Sequence, residues 1–324
     1  MASRVSDDLR HSMPIQLFSV LTITSDQFAD VEQLGSKEKF WFWNEGQRWL
    51  FKEARLIKSP QGIEITGEDW AEKIAAEIAH VLDIPAATVE LAEFDGRRGS
   101  ASLNFTSTAQ QLMHGNEVMA GYLDNYNPEV RFKQTSHTVE NIIIAIRKMF
   151  PQANEHRTVL RQLASYMVLD ALIGNTDRHH ENWGLLWQVL VEINDFNESA
   201  RLNKQYDVAP SFDHASSLGR ELMDVKRAEV LAMGRIEAYC RRGRGGIYLS
   251  DGRKGANPLV LVESTALKHP EYFMPTLDVL RSVPLARLTQ LLDQLPHDRA
   301  SPTACQFAKE MLRIGYESLL RIRR

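Results

Sequence analysis

The chain has 324 residues, 44% of them hydrophobic and 25% charged, a balance that fits two globular domains, or one two-lobed domain, with room for a sizeable core. With 38 Lys and Arg against 42 Asp and Glu the net charge is −4, so overall charge gives no argument for nucleic-acid or membrane binding. Two cysteines, Cys240 and Cys305, make neither a disulfide framework nor a metal cluster and read as reduced thiols.

The stretch from Met1 to Arg10 is too polar and too acidic for a signal peptide. No apolar run approaches the ~20 residues a membrane span needs, and the longest, Ile142 to Ile146, is flanked by charge. A cytoplasmic protein is expected. Residues 14–28 mix apolar and hydroxyl side chains and begin with a strand. A glycine-led polar turn, Gly35-Ser36-Lys37-Glu38-Lys39, then opens into the aromatic strand Phe40 to Trp43, and Asn44 to Gln47 turns the chain into a second strand, Arg48 to Lys52. Strand, Asn/Gly turn and strand make a hairpin pattern. A glycine turn ahead of it lets backbone N–H groups approach an anion, though a Gly-Ser pair is also an ordinary turn. Lys52 reads either as a solvated edge lysine or as a lysine holding phosphates from beneath that turn.

Thr66 to Asp69 resembles an N-cap with an acid three residues on. The helix behind it is expected over Glu68 to Leu82, with Trp70, Ile74, Ile78 and Leu82 on one apolar face. Glu72 lies off the centre of that stripe, as a solvated helix glutamate or as an acid pairing with Lys52. Asp83-Ile84-Pro85 stops the helix and Ala87 to Leu91 reads as a strand. Asp95 to Gly99 is a turn and Ser100 to Phe105 a short strand. Composition then shifts, placing a boundary near residue 106 between an N-lobe, 1–105, and a helical C-lobe, 106–324. Residues 107–150 read as irregular helix.

From Glu155 to Gly174 a long helix carries Leu160, Leu163, Ala164, Met167, Val168, Ala171 and Leu172 on one face and delivers a loop dense in metal-binding and proton-moving groups, Asn175-Thr176-Asp177-Arg178-His179-His180-Glu181-Asn182. Asp177 and Asn182 stand five apart, the spacing kinases use for an aspartate that orients the nucleophilic hydroxyl and an asparagine that holds magnesium. A second acidic site, Asp213, follows a short apolar run and precedes a small-residue loop, so two carboxylates and an amide could place Mg²⁺ against nucleotide phosphates. Between the two sites, Leu185 to Ile193 reads as a strand and Asn194 to Lys204 as a polar turn. Cys240 to Gly246 is basic and glycine-rich, a solvated loop or a contact for an acidic substrate or nucleic acid. Leu277 to Leu295 and Thr303 to Leu320 read as amphipathic helices.

Taken in order, Gly35 to Lys39, Lys52, Glu72, Ile173 to Asn182 and Ala209 to Asp213 resemble the catalytic domain of the HipA-type bacterial kinases, the toxin halves of toxin–antitoxin modules, over roughly residues 30 to 320. The resemblance implies a two-lobed α+β fold of the protein-kinase/phosphoinositide-kinase type, with a small β-rich N-lobe and a mainly helical C-lobe. It implies an ATP- and Mg²⁺-dependent serine/threonine kinase acting on a protein substrate. Asp177 would be the catalytic aspartate and His179 a brace of its loop; Asn182 and Asp213 would bind Mg²⁺. Lys52 would hold the α/β-phosphates and pair with Glu72, while Gly35, Ser36 and Lys39 would cover the phosphates. Ser102, Leu103 and Phe105 would lie in the interlobe connection that receives adenine.

Two departures stand out. About thirty residues precede the glycine turn, which resembles the compact variants whose extra N-terminal subdomain is a separate small protein; that protein or a small antitoxin is the expected partner. The position aligned with the serine that HipA toxins autophosphorylate is Glu32, and Ser36 is the candidate substitute. Rival readings are a lipid or small-molecule kinase of the same fold and a nucleotide-binding pseudokinase. No direct nucleic-acid or membrane contact is expected.

Overall fold

A computed structural model describes residues 15–31, 39–59, 62–194, 199–250 and 252–323. Glu32, Gly35 and Ser36 lie outside these. The strand expected between residues 14 and 28 is β1 (Val20–Ile23), and β2 (Phe28–Val31) follows. The expected hairpin is β3 (Lys39–Asn44) and β4 (Gln47–Glu53). Its two linking residues, Glu45 and Gly46, take φ of 49° and 72°, the tight turn whose twist matches that of the flanking strands. Alternation then sorts the hairpin into two faces. Phe40 pairs with Phe51 and Phe42 with Trp49, all buried, while Lys39 pairs with Lys52 and Trp41 with Leu50 on the opposite face.

A two-stranded ribbon, β5 (Leu56–Ser59) and β6 (Gly62–Ile65), leads into α1 (Glu68–Val81). Trp70, Ile74 and Ile78 are buried as the periodicity requires, but so are the polar members Asp69, Glu72 and Lys73; the first turns of α1 are enclosed, and Glu72 is not solvated. The expected Thr66 cap does not form. Gly67 occupies the cap position without a side-chain bond, and the Thr66 hydroxyl is buried without a partner. The strands β7 (Val89–Phe94) and β8 (Arg97–Leu103) complete a curled six-stranded sheet in the order β1-β7-β8-β4-β3-β2. Within it β1 runs parallel to β7 and the other neighbours are antiparallel.

The helical lobe opens with β9 (Gln111–His114), α2 (Gly115–Tyr122), α3 (Val139–Met149) and α4 (Ala153–Ile173). Next come β10 (Gly184–Asn194) and β11 (Ser199–Val208), which with β9 form a three-stranded sheet. Two sequence expectations are corrected here: residues 111–114 are strand rather than helix, and most of the supposed polar turn at 194–204 is β11. Its polar residues hid it, because β11 pairs through its backbone along the whole of β10 without needing an apolar face.

The remaining helices are α5 (Asp224–Ala232), α6 (Ile236–Arg242), α7 (Pro258–Ala266), α8 (Pro270–Ser282), α9 (Leu285–Thr289) and α10 (Pro302–Leu320). The single helix expected over Leu277 to Leu295 is interrupted at Val283-Pro284, because proline forces the residue before it out of the helical region. The apolar face of α4 packs against α7, α8 and α10, and its core continues without a break to Ile74 and Ile78 of α1. A separate aromatic cluster of Phe40, Phe42, Trp49 and Phe51 fills the far side of the six-stranded sheet.

Several contacts tie the lobes. Ala87 donates its N–H to Ser211 O at 2.9 Å, and Ser211 donates to Pro85 O at 2.8 Å. Buried Asp69 meets Arg98 at 3.0 Å and Arg299 at 3.5 Å; burial raises its pKa despite the Arg98 guanidinium. No helix among the described residues is long and apolar enough to cross a membrane.

Candidate active site

The loop carrying Asp177 begins where α4 stops. Gly174 takes the left-handed conformation, φ 68°, and caps the helix by donating to Asp170 O, a conformation glycine adopts without a side-chain penalty. Asn175 donates its side-chain N–H to Asp170 Oδ1 at 2.8 Å and accepts the Asp177 N–H at 3.1 Å. Arg178 then turns inward. Its guanidinium forks onto Asp170 with two bonds of 2.8 Å, reaches Asn182 O at 2.6 Å and Phe212 O at 3.2 Å, and donates to Ser211 Oγ at 3.0 Å. Sending residue 178 inward leaves its neighbour outward, and the Asp177 side chain is 45% exposed.

His179 lies beside it, with Nε2 4.0 Å from Asp177 Oδ1 and 3.3 Å from an Arg131 guanidinium nitrogen. Its Nδ1 accepts the Glu181 N–H at 3.2 Å. Burial, reinforced by Arg131, pushes the imidazole down to about 4, so the ring is neutral near pH 7. The sequence reading assigned the bracing of this loop to His179, whereas most of the bonds that hold it come from Arg178. His137, which packs behind, donates from Nδ1 to Gly246 O at 2.9 Å and accepts the Trp183 indole N–H at 3.1 Å; burial pushes it down to about 3.

Asn182 uses its side-chain N–H on Asp177 O at 2.6 Å, which turns its Oδ1 to the other side. Asp213 sits at φ 59°, a region that aspartate tolerates and that recurs in residues held for function. Its Oδ1 is 3.1 Å from Lys52 Nζ. Glu72 instead accepts the His214 N–H at 2.8 Å and lies 3.5 Å from His214 Nδ1, and His214 Nε2 is 2.7 Å from Ser211 Oγ. The Lys52–Glu72 pair expected from the sequence is thus replaced by Lys52–Asp213 and Glu72–His214.

Glu72 nevertheless acts on Lys52 at longer range. Burial works against the ammonium, but the carboxylates of Asp213 and Glu72 outweigh it and raise its pKa. For Glu72 burial is likewise overcome, by the His214 bond and by Lys52, and its pKa falls. Lys39 and Lys52 are cross-strand partners on one sheet face. Like charges so placed repel, and the acidic groups opposite offset that repulsion.

At the end of β8, Leu103 and Asn104 donate their N–H groups to Thr88 O and Arg48 O, both at 2.9 Å. The Leu103 N–H is therefore already bonded within the chain. The Phe105 ring stacks on Phe212 at 5.6 Å, and Ser102 stays within the ladder between β4 and β7. The arrangement brings Lys39 and Lys52 of the sheet to the same side as Asp213, with Asp177 and Asn182 on the loop that Arg178 fastens to Phe212. Sequence reasoning missed Asp170, Arg178, Ser211 and His214. The one available signal was Asp170, an acid in an otherwise apolar stretch of α4.

A family model described as the HipA-like C-terminal domain matches residues 33–242. Among solved structures, the Helicobacter pylori proinflammatory kinase CtkA is similar over 94% of this chain and 100% of its own, with a TM-score of 0.69 at 16% identity. The HipA of the Shewanella oneidensis MR-1 toxin–antitoxin system, in a complex with HipB and operator DNA, is similar over 91% of this chain and 68% of its own, with a TM-score of 0.54 at 10% identity. At such identities the likeness is one of fold. No curated protein matches the chain.

Proposed function

The chain belongs to the HipA-like C-terminal domain family, and on that premise we propose that it is an ATP- and Mg²⁺-dependent kinase that transfers the γ-phosphoryl group to a serine or threonine of a protein. The observation that carries this reading is the 3.1 Å contact between Lys52 on the sheet and Asp213 on the helical lobe, beside the fastened loop of Asp177 and Asn182. We divide the chain accordingly into an N-lobe, 1–105, and a C-lobe, 106–324, with the site between them.

Asn182 Oδ1 and the Asp213 carboxylate are hard oxygen donors, and the Lys52 ammonium beside Asp213 indicates that positive charge is stabilised there. That donor set fits Mg²⁺, which takes one or two carboxylates and fills its shell with phosphates and water. Among the described residues no group of three or more His, Cys, Asp or Glu could hold a metal by itself. Bound Mg²⁺ would neutralise charge on the phosphates being separated. Asp177, outward and half-exposed, orients the acceptor hydroxyl and takes its proton; His179, neutral, does not compete for that role as a cation. Lys52 leaves Asp213 to hold phosphate oxygens, with Lys39 on the same face. Adenine would meet the connection at Phe105, since the Leu103 amide is already bonded. Gly35 and Ser36 are proposed as the phosphate cover, and a small antitoxin-type protein as a partner.

The test is γ-labelled ATP with Mg²⁺ and purified protein, alone and in a bacterial lysate. Asp177→Asn is expected to lower transfer by about 10²–10⁴-fold with unfolding unchanged, and Asp213→Ala to lose Mg·ATP binding. Wild-type transfer by the Asp177→Asn protein would sink the assignment. ATP binding without transfer to any protein would favour the pseudokinase.

A further inference from the structure

The basic stretch 240–246 closes α6 and then packs through its glycines. A side chain at Gly246 would stand 2.7 Å from the His179 backbone, and one at Gly243 would stand 2.9 Å from the Thr176 methyl; only glycine permits so close an approach. The loop is therefore packed directly on the segment that carries Asp177, and the Gly246 carbonyl is held by His137.

Where the two meet lies a cavity of about 300 Å³, floored by apolar residues of α4, α7 and α10 and reached by Thr176, Ser217, Arg242 and Arg244. That is the lower end of the size range for ligand pockets, enough for one or two side chains. Ser217 is buried, and its hydroxyl has no partner. Glu221, the carboxylate among the lining residues, is already engaged by the Tyr239 hydroxyl. Arg241 is turned to Glu237 and Glu263. Arg242 and Arg244, by contrast, are exposed, and neither makes an ion pair among the described residues. Two guanidinium groups face one lining carboxylate, Glu221, over a cavity that the residue before Asp177 also lines, and this excess of positive charge suits an anionic partner.

We propose that this cavity and its Arg242–Arg244 rim dock an acidic segment of the protein substrate, next to the hydroxyl presented to Asp177. The inference rests on the kinase reading above and adds to it a substrate class: acceptors flanked by carboxylates. Arginine forks carboxylates well, and the recess excludes water from one side of the contact.

The test is fluorescence anisotropy with a fluorescein-labelled peptide holding one serine among glutamates, compared with its alanine and lysine counterparts, on the full chain and its Asp177→Asn variant. The glutamate peptide is expected to bind both proteins alike, more weakly as salt rises. Its affinity should fall about tenfold for the Arg242→Glu/Arg244→Glu protein, whose circular dichroism should match the wild type. Equal binding of glutamate and alanine peptides, or undiminished binding by the double variant, overturns the proposal. So does displacement of the peptide by a single-stranded oligonucleotide at lower concentration than by unlabelled peptide, which would assign the surface to nucleic acid. Labelled-ATP transfer to the same peptides separates the two readings. Charge-dependent binding of the peptide, with no labelled-ATP transfer to it or to any protein in the lysate, sinks the kinase and leaves an acidic docking site. Transfer to glutamate and alanine peptides with equal KM sinks the docking site and leaves the kinase.

Discussion

Two basic residues of this molecule each meet an aspartate, and the pairs differ in almost everything else. Arg178 and Asp170 are both 4% exposed, joined by a two-pronged fork within one lobe. Lys52 and Asp213 are 15% and 30% exposed, joined by one contact across the lobes. A fully desolvated fork is costly to break, because either survivor is a buried charge without a counter-ion. A partly exposed single contact can exchange partners with water or with a ligand more readily. The first pair fixes geometry; the second can be exchanged.

That contrast sets the largest expected effect. Arg178→Ala should cost about 3–5 kcal/mol of stability, read from urea unfolding, since it strands Asp170 and frees the carbonyls of Asn182 and Phe212. A loss comparable to that of an exposed ion pair would mean the fork is not what holds the loop.

The histidines behind the loop come next. His137 and His179 are pushed down from 6.5 to about 3 and about 4, so the unfolded chain binds protons that the folded one refuses. Their contribution is complete above pH 6.5 and is lost as pH falls towards those values. Each should account for about 2 kcal/mol between pH 7 and pH 5, measured as a shift in the urea midpoint. A flat profile over that window would show the rings to be solvated.

On the exchangeable side, Lys52→Ala should cost less stability than Arg178→Ala, since it weakens the support of buried Glu72 without breaking a two-pronged fork, while nucleotide affinity, followed with a fluorescent ATP analogue, falls about tenfold or more. A stability loss equal to that of Arg178→Ala would erase the distinction between the pairs.

Much of the frame was legible because it repeats. The stripe of Trp70, Ile74 and Ile78, the apolar face of α4 and the Asn44 to Gln47 turn each carry a local period, and Asp177 and Asn182 carry a local spacing. What stayed hidden depends on distance along the chain. Arg178 reaches Ser211 and Phe212 more than thirty residues away, and Glu72 finds His214 rather than Lys52 only because the lobes pack as they do. The strand β11 was missed for a different reason: a polar strand satisfied by backbone pairing has no hydrophobic period to read.

Thr66 separates local from long-range reasoning at the smallest scale. Read locally, its hydroxyl caps α1, and such a cap contributes about 1 kcal/mol. In the folded chain Gly67 holds the cap position and the Thr66 hydroxyl is buried without a partner, while its backbone N–H is secured by Arg55 O at 2.8 Å. Thr66→Val keeps the shape and the backbone bond and removes only the unpartnered hydroxyl, which costs free energy to keep dry. The variant should therefore unfold at the wild-type urea concentration or slightly above it. A loss of about 1 kcal/mol would restore the cap, and with it the local account of how α1 begins.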